Sequence, residues 1–401
     1  MSSESTPELP EPSDRETGVQ RPDVVADEHV DVIVVGAGQA GLAMGFCLAR
    51  QGLRFLILED ADSVGAAWSN RWDSLALFTP RRYDALAGLG FPGEPDGYPT
   101  RDEVAAYLKT YASTNALPVV LNSAVQSLAP IDCGYSVEVN GKQLTADQVV
   151  VATGPFQRPR TPALAGLLSP EVFQMHSTGY RQPQGIPSGT VLVVGGGNTG
   201  FQIAEELSGT HSVHLSVGSK QTPLPQKIWR RDLFWWLTKT GLLKTTVDSR
   251  LGRRLRERET LIGSSPERLR RQGVALHPRA VGASQRTVNF ADGSELLVDA
   301  VVWATGYLPD YSWIDAPVLD GAGQVRHRRG VTDQPGLYFL GLYWQHTRGS
   351  ALLGWVKDDA EFIATQIQTL AESRKVRPAA VNRELPIHAE TQEASDHAEP
   401  Q

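Results

Sequence analysis

The sequence predicts an α/β protein of two Rossmann-like dinucleotide-binding domains, the second inserted into the first. Three observations point there. A strand, glycine turn and helix read from VIVVGAGQAGLAMG at Val32, and the same unit returns as VLVVGGGNTGFQIA at Val191. Two matching strand ends, VVVATGPF at 149–156 and AVVWATGY at 300–307, bracket the second unit. At 401 residues the chain is long enough for two packed cores.

In the first unit VDVIVV is a continuous apolar run, as a parallel strand buried on both faces requires. Gly36 permits the tight turn, Gly38 lets backbone approach a pyrophosphate, and Gly41 lets the helix pack close on the sheet. The helix expected over Gln39–Gln51 opens with Gln39 and Ala40, so its N–H groups and dipole face the phosphates. The following strand, RFLILE, ends at Glu59, 18 residues after Gly41, where a carboxylate accepts hydrogen bonds from a ribose.

The second unit repeats the design with Gly195, Gly197 and Gly200 in the turn, Asn198 and Thr199 opening a helix to Ser208, and SVHLSV as the next strand. Its ending differs. Lys220 stands 20 residues after Gly200, in VGSK, and no acid occupies the strand end. A carboxylate there would repel a 2′-phosphate, whereas Ser219 and Lys220 accept one, which points to NADP(H) over NAD(H). A solvated loop lysine with no cofactor preference is the alternative. Two unlike dinucleotide sites in one chain most often pass electrons between them, which puts FAD in the first and NADPH in the second. Thr153 and Gly154, and Thr305 and Gly306, end their strands in small residues that let a cofactor come close. The expected domains are therefore a first FAD-binding part at 29–156, an NADP-binding domain at 157–298 and a returning FAD-binding part at 299–374. Residues 1–28 and 375–401, poor in large apolar side chains, are expected to be disordered tails.

Composition narrows the function. A net charge of −7 argues against a nucleic-acid partner, which needs a concentrated basic surface. The longest apolar runs fall well short of the roughly 20 residues that span a bilayer, and no basic-then-apolar signal opens the chain. A cytoplasmic monomer or homodimer without an integral membrane segment is expected. Cys47 and Cys133 are the only cysteines and form no C-x-x-C, so neither a cysteine metal site nor a dithiol redox centre is expected.

Taken with GAAWSNRWDSLALFTP at 65–80, FPGEPDGYPTRDEVAAYL at 91–108, QMHSTGYRQP at 174–183, WATGYLPDYSWI at 303–314 and GLYFLGLYWQHTRGSALLG at 336–354, the chain resembles flavin-containing monooxygenases. Within them it is similar to the bacterial CzcO-like flavoproteins and the plant YUCCA enzymes. The resemblance spans about residues 30–372. It implies an FAD-dependent, NADPH-consuming monooxygenase whose reduced flavin takes up O₂ as a C4a-(hydro)peroxide and passes one oxygen to a small nucleophile. It carries the FAD motif onto Gly36, Gly38, Gly41 and Glu59, the flavin-crossing segment onto Trp68 and Arg71-Trp72-Asp73, and the NADPH motif onto Gly195–Gly200. His176 and Tyr180 match the end of the family fingerprint F-x-G-x-x-x-H-x-x-x-[FY], but Pro170 and Val172 stand where its Phe and Gly belong, and Ala66 replaces a common glycine.

Tyr180, where Baeyer–Villiger relatives have Trp, favours an amine or sulfide substrate. Baeyer–Villiger chemistry and YUCCA-like oxidative decarboxylation are the alternatives, as is a non-turnover, redox-responsive flavoprotein accessory to a transport or resistance system. Under this reading Asn70 and Gln345 are candidates to hydrogen-bond the flavin or its peroxide, and Arg348, or His346, to stabilise negative charge on it. His176 is a turn or cofactor-positioning residue. Gly341, closing LYFLG, adjoins the cofactor, and SALLGWVKDDAEFIATQI is expected to be an amphipathic helix whose start faces the flavin ring. The aromatic segment from Phe234 to Leu237 admits three readings: packing on the FAD domain, walling a substrate entrance, or transient membrane contact beside the arginines near 250–258.

Overall fold

The apolar run of the first unit forms β1 (His29–Val35), buried among its neighbours from Val32 onward. A computed structural model describes residues 28–256 and 260–376. The expected tails lie outside these residues except at their inner ends, where the last helix runs on to Val376.

Around β1 assemble β2 (Phe55–Leu58), β3 (Val119–Val120), β4 (Val125–Ile131), β5 (Gly134–Val139) and β6 (Lys142–Val151), in the order β3-β2-β1-β6-β5-β4. β1 runs parallel to both β2 and β6. Along its other edge β6 changes partner. Lys142–Ala146 pairs antiparallel with β5, and Val149–Val151 pairs in parallel with the late strand Leu337–Phe339. The chain thus closes its first sheet with a segment almost 200 residues downstream.

One face of this sheet is covered by α1 (Gln39–Gln51), α3 (Arg101–Thr114, following the single turn α2, Ala66–Ser69) and the last helix Val356–Val376. Leu42, Met44, Leu48, Tyr111 and Ile363 meet there as one core. α1 stops at Gly52, whose φ of +69° gives the left-handed C-terminal turn. α3 starts on a capping box, Thr100 Oγ1 accepting from the Glu103 amide and Glu103 Oε2 from the Thr100 amide. Gln51 and the buried Gln148 donate to the Ala364 and Ile367 carbonyls of the last helix, each at 3.0 Å.

The second sheet contains β8 (Phe173–His176), β9 (Thr190–Val194), β10 (Ser212–Ser216) and the strands Ala275–His277 and Ala300–Trp303, all parallel. α4 (Asn198–Leu207) packs on it through Phe201, Ile203 and Leu207. Between the sheets the outgoing strand β7 (Arg158–Pro159) lies antiparallel to the returning Tyr307–Leu308.

Two sequence expectations change. The return to the first domain was expected from residue 299, yet Ala300–Trp303 sits between β9 and β8. A buried parallel strand reads alike in either sheet, and the crossing occurs only at Tyr307–Leu308. The helix expected from Ser350 begins at Val356. Before it, Arg348–Ala351 forms a short 3-10 turn, Leu352 is extended, and a Cβ on Gly354 would lie 1.6 Å from the Tyr83 carbonyl oxygen.

That close approach places Tyr83 and Asp84 under the loop. Asp84 is fully buried; Thr79 Oγ1 donates to its Oδ1 at 2.5 Å and Oδ2 has no protein partner. Burial pushes this carboxyl up to about 7, against the Thr79 bond and the Arg81 charge. The folded chain holds the proton up to about pH 7, while an unfolded chain releases it near about 3.9. This contribution therefore favours folding at low pH and fades as pH rises through that window. Asp84→Asn should flatten this part of the pH profile of the denaturant midpoint; a slope like that of the wild type would contradict the assignment.

Candidate active site

Each glycine turn presses on the Ala-Thr-Gly segment of its own sheet. A Cβ on Gly36, at φ +103°, would lie 2.8 Å from the Ala152 oxygen, and one on Gly195, at φ +145°, 2.1 Å from that of Ala304. The helix glycines repeat the pattern, with Gly41 and Gly200 placing a Cβ 1.8 and 2.2 Å from the Gly36 and Gly195 oxygens. These four positions are closed to any side chain. Gly38, Gly154 and Gly306 are the opposite: a Cβ on any of them meets nothing within 4 Å. The open space lies where a dinucleotide backbone would rest, so the cradle fits the group that its motifs imply.

Three walls meet at the start of α1. Gln39 Nε2 donates to the Ala351 carbonyl at 3.3 Å, and its Oε1 accepts from Trp68 Nε1 at 3.2 Å. Gly341, at φ +85°, lets the strand exit come so near that a Cβ would stand 2.9 Å from the Ala40 Cβ. Glu59 closes the far end, Oε2 accepting from the Ala37 amide at 2.6 Å and Oε1 from Ala61 at 3.2 Å. Burial pushes its carboxyl up to about 7, aided by Asp60 and opposed by the two amides.

Of the three candidates for direct chemistry, Asn70 ends α2 with an exposed side chain. Arg348 opens the 3-10 turn half-buried, with no side-chain hydrogen bond or ion pair among the described residues. Gln345 differs from expectation. It is 2% exposed, and its Oε1 accepts from the Leu342 amide at 3.2 Å. Its Nε2 lies against Gly330 without a partner. It braces the loop from below. His346 is half-buried, and burial lowers its basicity.

The junction between the domains holds a directed chain of hydrogen bonds. His176 Nε2 lies 3.1 Å from the Gly306 carbonyl, an acceptor only, so Nε2 carries the proton and Nδ1 accepts. Thr178 Oγ1 then donates to Nδ1 at 2.7 Å and accepts from the Tyr307 hydroxyl at 3.0 Å. Tyr307 in turn accepts from Arg71 at 2.8 Å. The Arg71 guanidinium lies 4.9 Å from the Phe156 ring centroid and 5.7 Å from that of Tyr307. Burial lowers the basicity of His176, opposed by the Gly306 bond and aided by the Arg71 charge, which favours the neutral ring that this chain requires. Trp72, next to Arg71 on the same crossing segment, buries itself in the second core that also holds Tyr180. Thr153 accepts from Gln157, and Thr305 donates to the Arg160 carbonyl, so both hydroxyls hold the outgoing linker.

In the second cradle Gly197 caps α4 and Thr199 is half-buried behind it. The Asn198 side chain is already used, donating to the Thr260 carbonyl at 3.2 Å and accepting from the Ile262 amide at 3.0 Å. Lys220 is exposed beside Ser219, whose carbonyl accepts from Gln221. Arg279, absent from the sequence reading, reaches this loop and donates to the Gly218 carbonyl at 3.1 Å. It arrives from beyond a different strand, 61 residues later, and no local pattern marks it. Phe156, Thr178 and Tyr307 were missed for the same reason.

Elsewhere, Phe234 is core, stacked on Phe78 and tilted against Trp355, while Trp235 and Trp236 are half-buried. Cys47 lies along α1 with burial pushing its thiol up to about 11, and Cys133 is exposed in the β4–β5 turn. No group of three or more potential metal ligands exists among the described residues, and no described helix is long and apolar enough to cross a membrane.

Residues 33–230 match the family described as pyridine nucleotide-disulphide oxidoreductase. Over 341 residues the chain is 46% identical to a CzcO-like oxidoreductase of Geobacillus kaustophilus, covering 84% of this chain and 98% of that one. It is 30% identical over 356 residues to the indole-3-pyruvate monooxygenase YUCCA1 of Oryza sativa subsp. japonica, covering 77% and 86%. The solved flavin-containing monooxygenase of Stenotrophomonas maltophilia matches with a TM-score of 0.73 at 30% identity, over 86% of this chain and 99% of that one.

A methyl group at Gly38 would enter only the open cradle. Gly38→Ala should leave the unfolding midpoint of the ligand-free chain within about 0.5 kcal/mol of wild type, while flavin retention on gel filtration drops. A large loss of stability would mean that the space is structural.

Proposed function

The chain belongs to the CzcO-like branch of the flavin-containing monooxygenases, and we propose that it uses FAD in the first cradle and NADPH in the second to place one oxygen atom of O₂ on a small amine or sulfide. The observation that supports this is that Gly154 and Gly306, both open at Cβ, follow the strands on which the two glycine turns press, and that the hydrogen-bond chain from Arg71 ends on the Gly306 carbonyl. When bound, FAD supplies hydride acceptance and oxygen activation, which no side chain here provides.

The chain's own residues bind, orient and shield. The amides of Gly38, Gln39 and Ala40, with the α1 dipole behind them, hold the pyrophosphate. Glu59, oriented by the Ala37 and Ala61 amides, accepts from the ribose. Gln39 locks Trp68 and the 351 loop to the cradle, so the wall does not move when the site is entered. Arg348, unpaired among the described residues, supplies positive charge beside the flavin and Asn70 a neutral donor, and Gln345 holds the loop that carries Arg348. A neutral His176 positions the Gly306 exit and does not act as a base. Lys220, Ser219 and Arg279 together receive the 2′-phosphate.

Oxidative decarboxylation of a 2-oxo acid is the second reading, favoured by the similarity to YUCCA1. The preference for amine or sulfide over ketone rested on Tyr180. Its ring lies in the second core and its hydroxyl donates to Glu206 at 2.9 Å, so its influence on substrate choice passes through the packing of that core.

Turnover of amines, sulfides and 2-oxo acids with NADPH and isotopically labelled O₂ tests the reading. One labelled oxygen per NADPH should appear in an amine or sulfide product, or in the acid left by a 2-oxo substrate under the second reading. Release of all reducing equivalents as peroxide across the panel, or no flavin reduction at all, would sink it. Lys220→Ala combined with Arg279→Ala should raise KM for NADPH by about tenfold or more, as expected for lost charge-assisted contacts, and leave KM for NADH in place. An unchanged ratio removes the NADPH assignment.

A further inference from the structure

The helical excursion of the second domain begins with a hairpin that nothing in the catalytic account uses. Lys227–Ile228 pairs antiparallel with Arg231–Asp232, and Trp229 and Arg230 form the two-residue turn. Both have positive φ, 46° and 64°. Such turns ordinarily take Asn or Gly, and a bulky residue adopts this backbone only under constraint. The strain does not serve packing, since Trp229 is 84% exposed. Behind it Trp236 meets the Trp229 ring edge-on at 5.6 Å and Trp235 at 4.7 Å, and donates Nε1 to the Ile228 carbonyl. Arg231 covers the face of Trp235 at 5.4 Å.

Charge is segregated on the same segment. Residues 227–256 contain nine Lys or Arg and two Asp, a net +7 in a chain whose total is −7. Of the two acids, Asp232 is turned inward, bonded to Tyr98, Gln226 and the Phe234 amide. An aromatic tip in a cationic setting complements an anionic interface, where tryptophan settles at headgroup depth and arginine pairs with phosphate.

We infer that this hairpin docks the protein peripherally on an anionic lipid surface, Trp229 entering the headgroup layer and Arg230 and Arg231 facing the phosphates. The excursion is tied to the flavin loop, Thr246 bridging Thr347 and the Val247 amide donating to the His346 carbonyl at 2.8 Å. Docking therefore brings the loop that carries Arg348 near the lipid. The inference does not depend on the reaction proposed above.

Co-sedimentation of the full chain with phosphatidylcholine vesicles, with and without phosphatidylglycerol, tests it. Binding should require phosphatidylglycerol and fall with added salt. Each lost cation should weaken it about fivefold, so R230E/R231E should lose at least tenfold, and Trp229→Ser should weaken it as well. An unchanged thermal unfolding midpoint in each variant reports that the chain remains folded. Binding equal on neutral vesicles, no binding to either, or wild-type binding by R230E/R231E would each overturn the inference. So would a self-association broken by R230E/R231E with no vesicle binding, which assigns the hairpin to a second copy of the chain.

Discussion

Four hydrogen bonds in series, from Arg71 through Tyr307 and Thr178 to His176 and the Gly306 carbonyl, are the constraint on which the site depends. Arg71 belongs to the first domain, His176 ends a strand of the second, and Tyr307 opens the return linker. The chain therefore ties both domains and the linker at one place. Its direction is fixed because the carbonyl at one end only accepts and the guanidinium at the other only donates. A protonated His176 would put two donors toward Thr178 and Gly306 and disrupt that order; burial, aided by the Arg71 charge, favours the neutral ring.

Packing supports the same junction. Trp72 crosses from the first domain into the second core, the Asp73 amide donates to the Arg181 carbonyl, and Arg101 pairs with Asp73 at 2.8 Å. Gln39 performs the matching task within the first domain, joining the first glycine turn, the Trp68 segment and the 351 loop. Both cradles are thus held by contacts outside their own motifs. The glycine turns supply close approach and open space, and the surrounding side chains supply orientation.

Much of this was legible in the sequence where the information is local. The units β1–α1–β2 and β9–α4–β10 follow from unbroken apolar runs, three glycines and an ordinary helix period, and α1 spans Gln39–Gln51 as expected. What the sequence hid is tertiary. Ala300–Trp303 is apolar on both faces, so it fits either sheet, and only its pairing with β9 and β8 decides. The last helix starts late because Gly354 is pressed on the Tyr83 backbone, a contact 271 residues apart. Asn198 matched the nucleotide motif, yet its amide clamps the strand at Thr260–Ile262. Arg279 and Tyr307 carry no signal until the chain has folded.

The most direct test of this account is the anaerobic rate of flavin reduction at saturating NADPH in Tyr307→Phe. The substitution keeps the ring between Arg71 and His176 and removes only the hydroxyl that joins them. If the junction orients the two cofactors, reduction should slow by about fivefold or more, the consequence of roughly 1 kcal/mol lost at one hydrogen bond, with the dissociation constants of both cofactors unchanged. Reduction at the wild-type rate would contradict it.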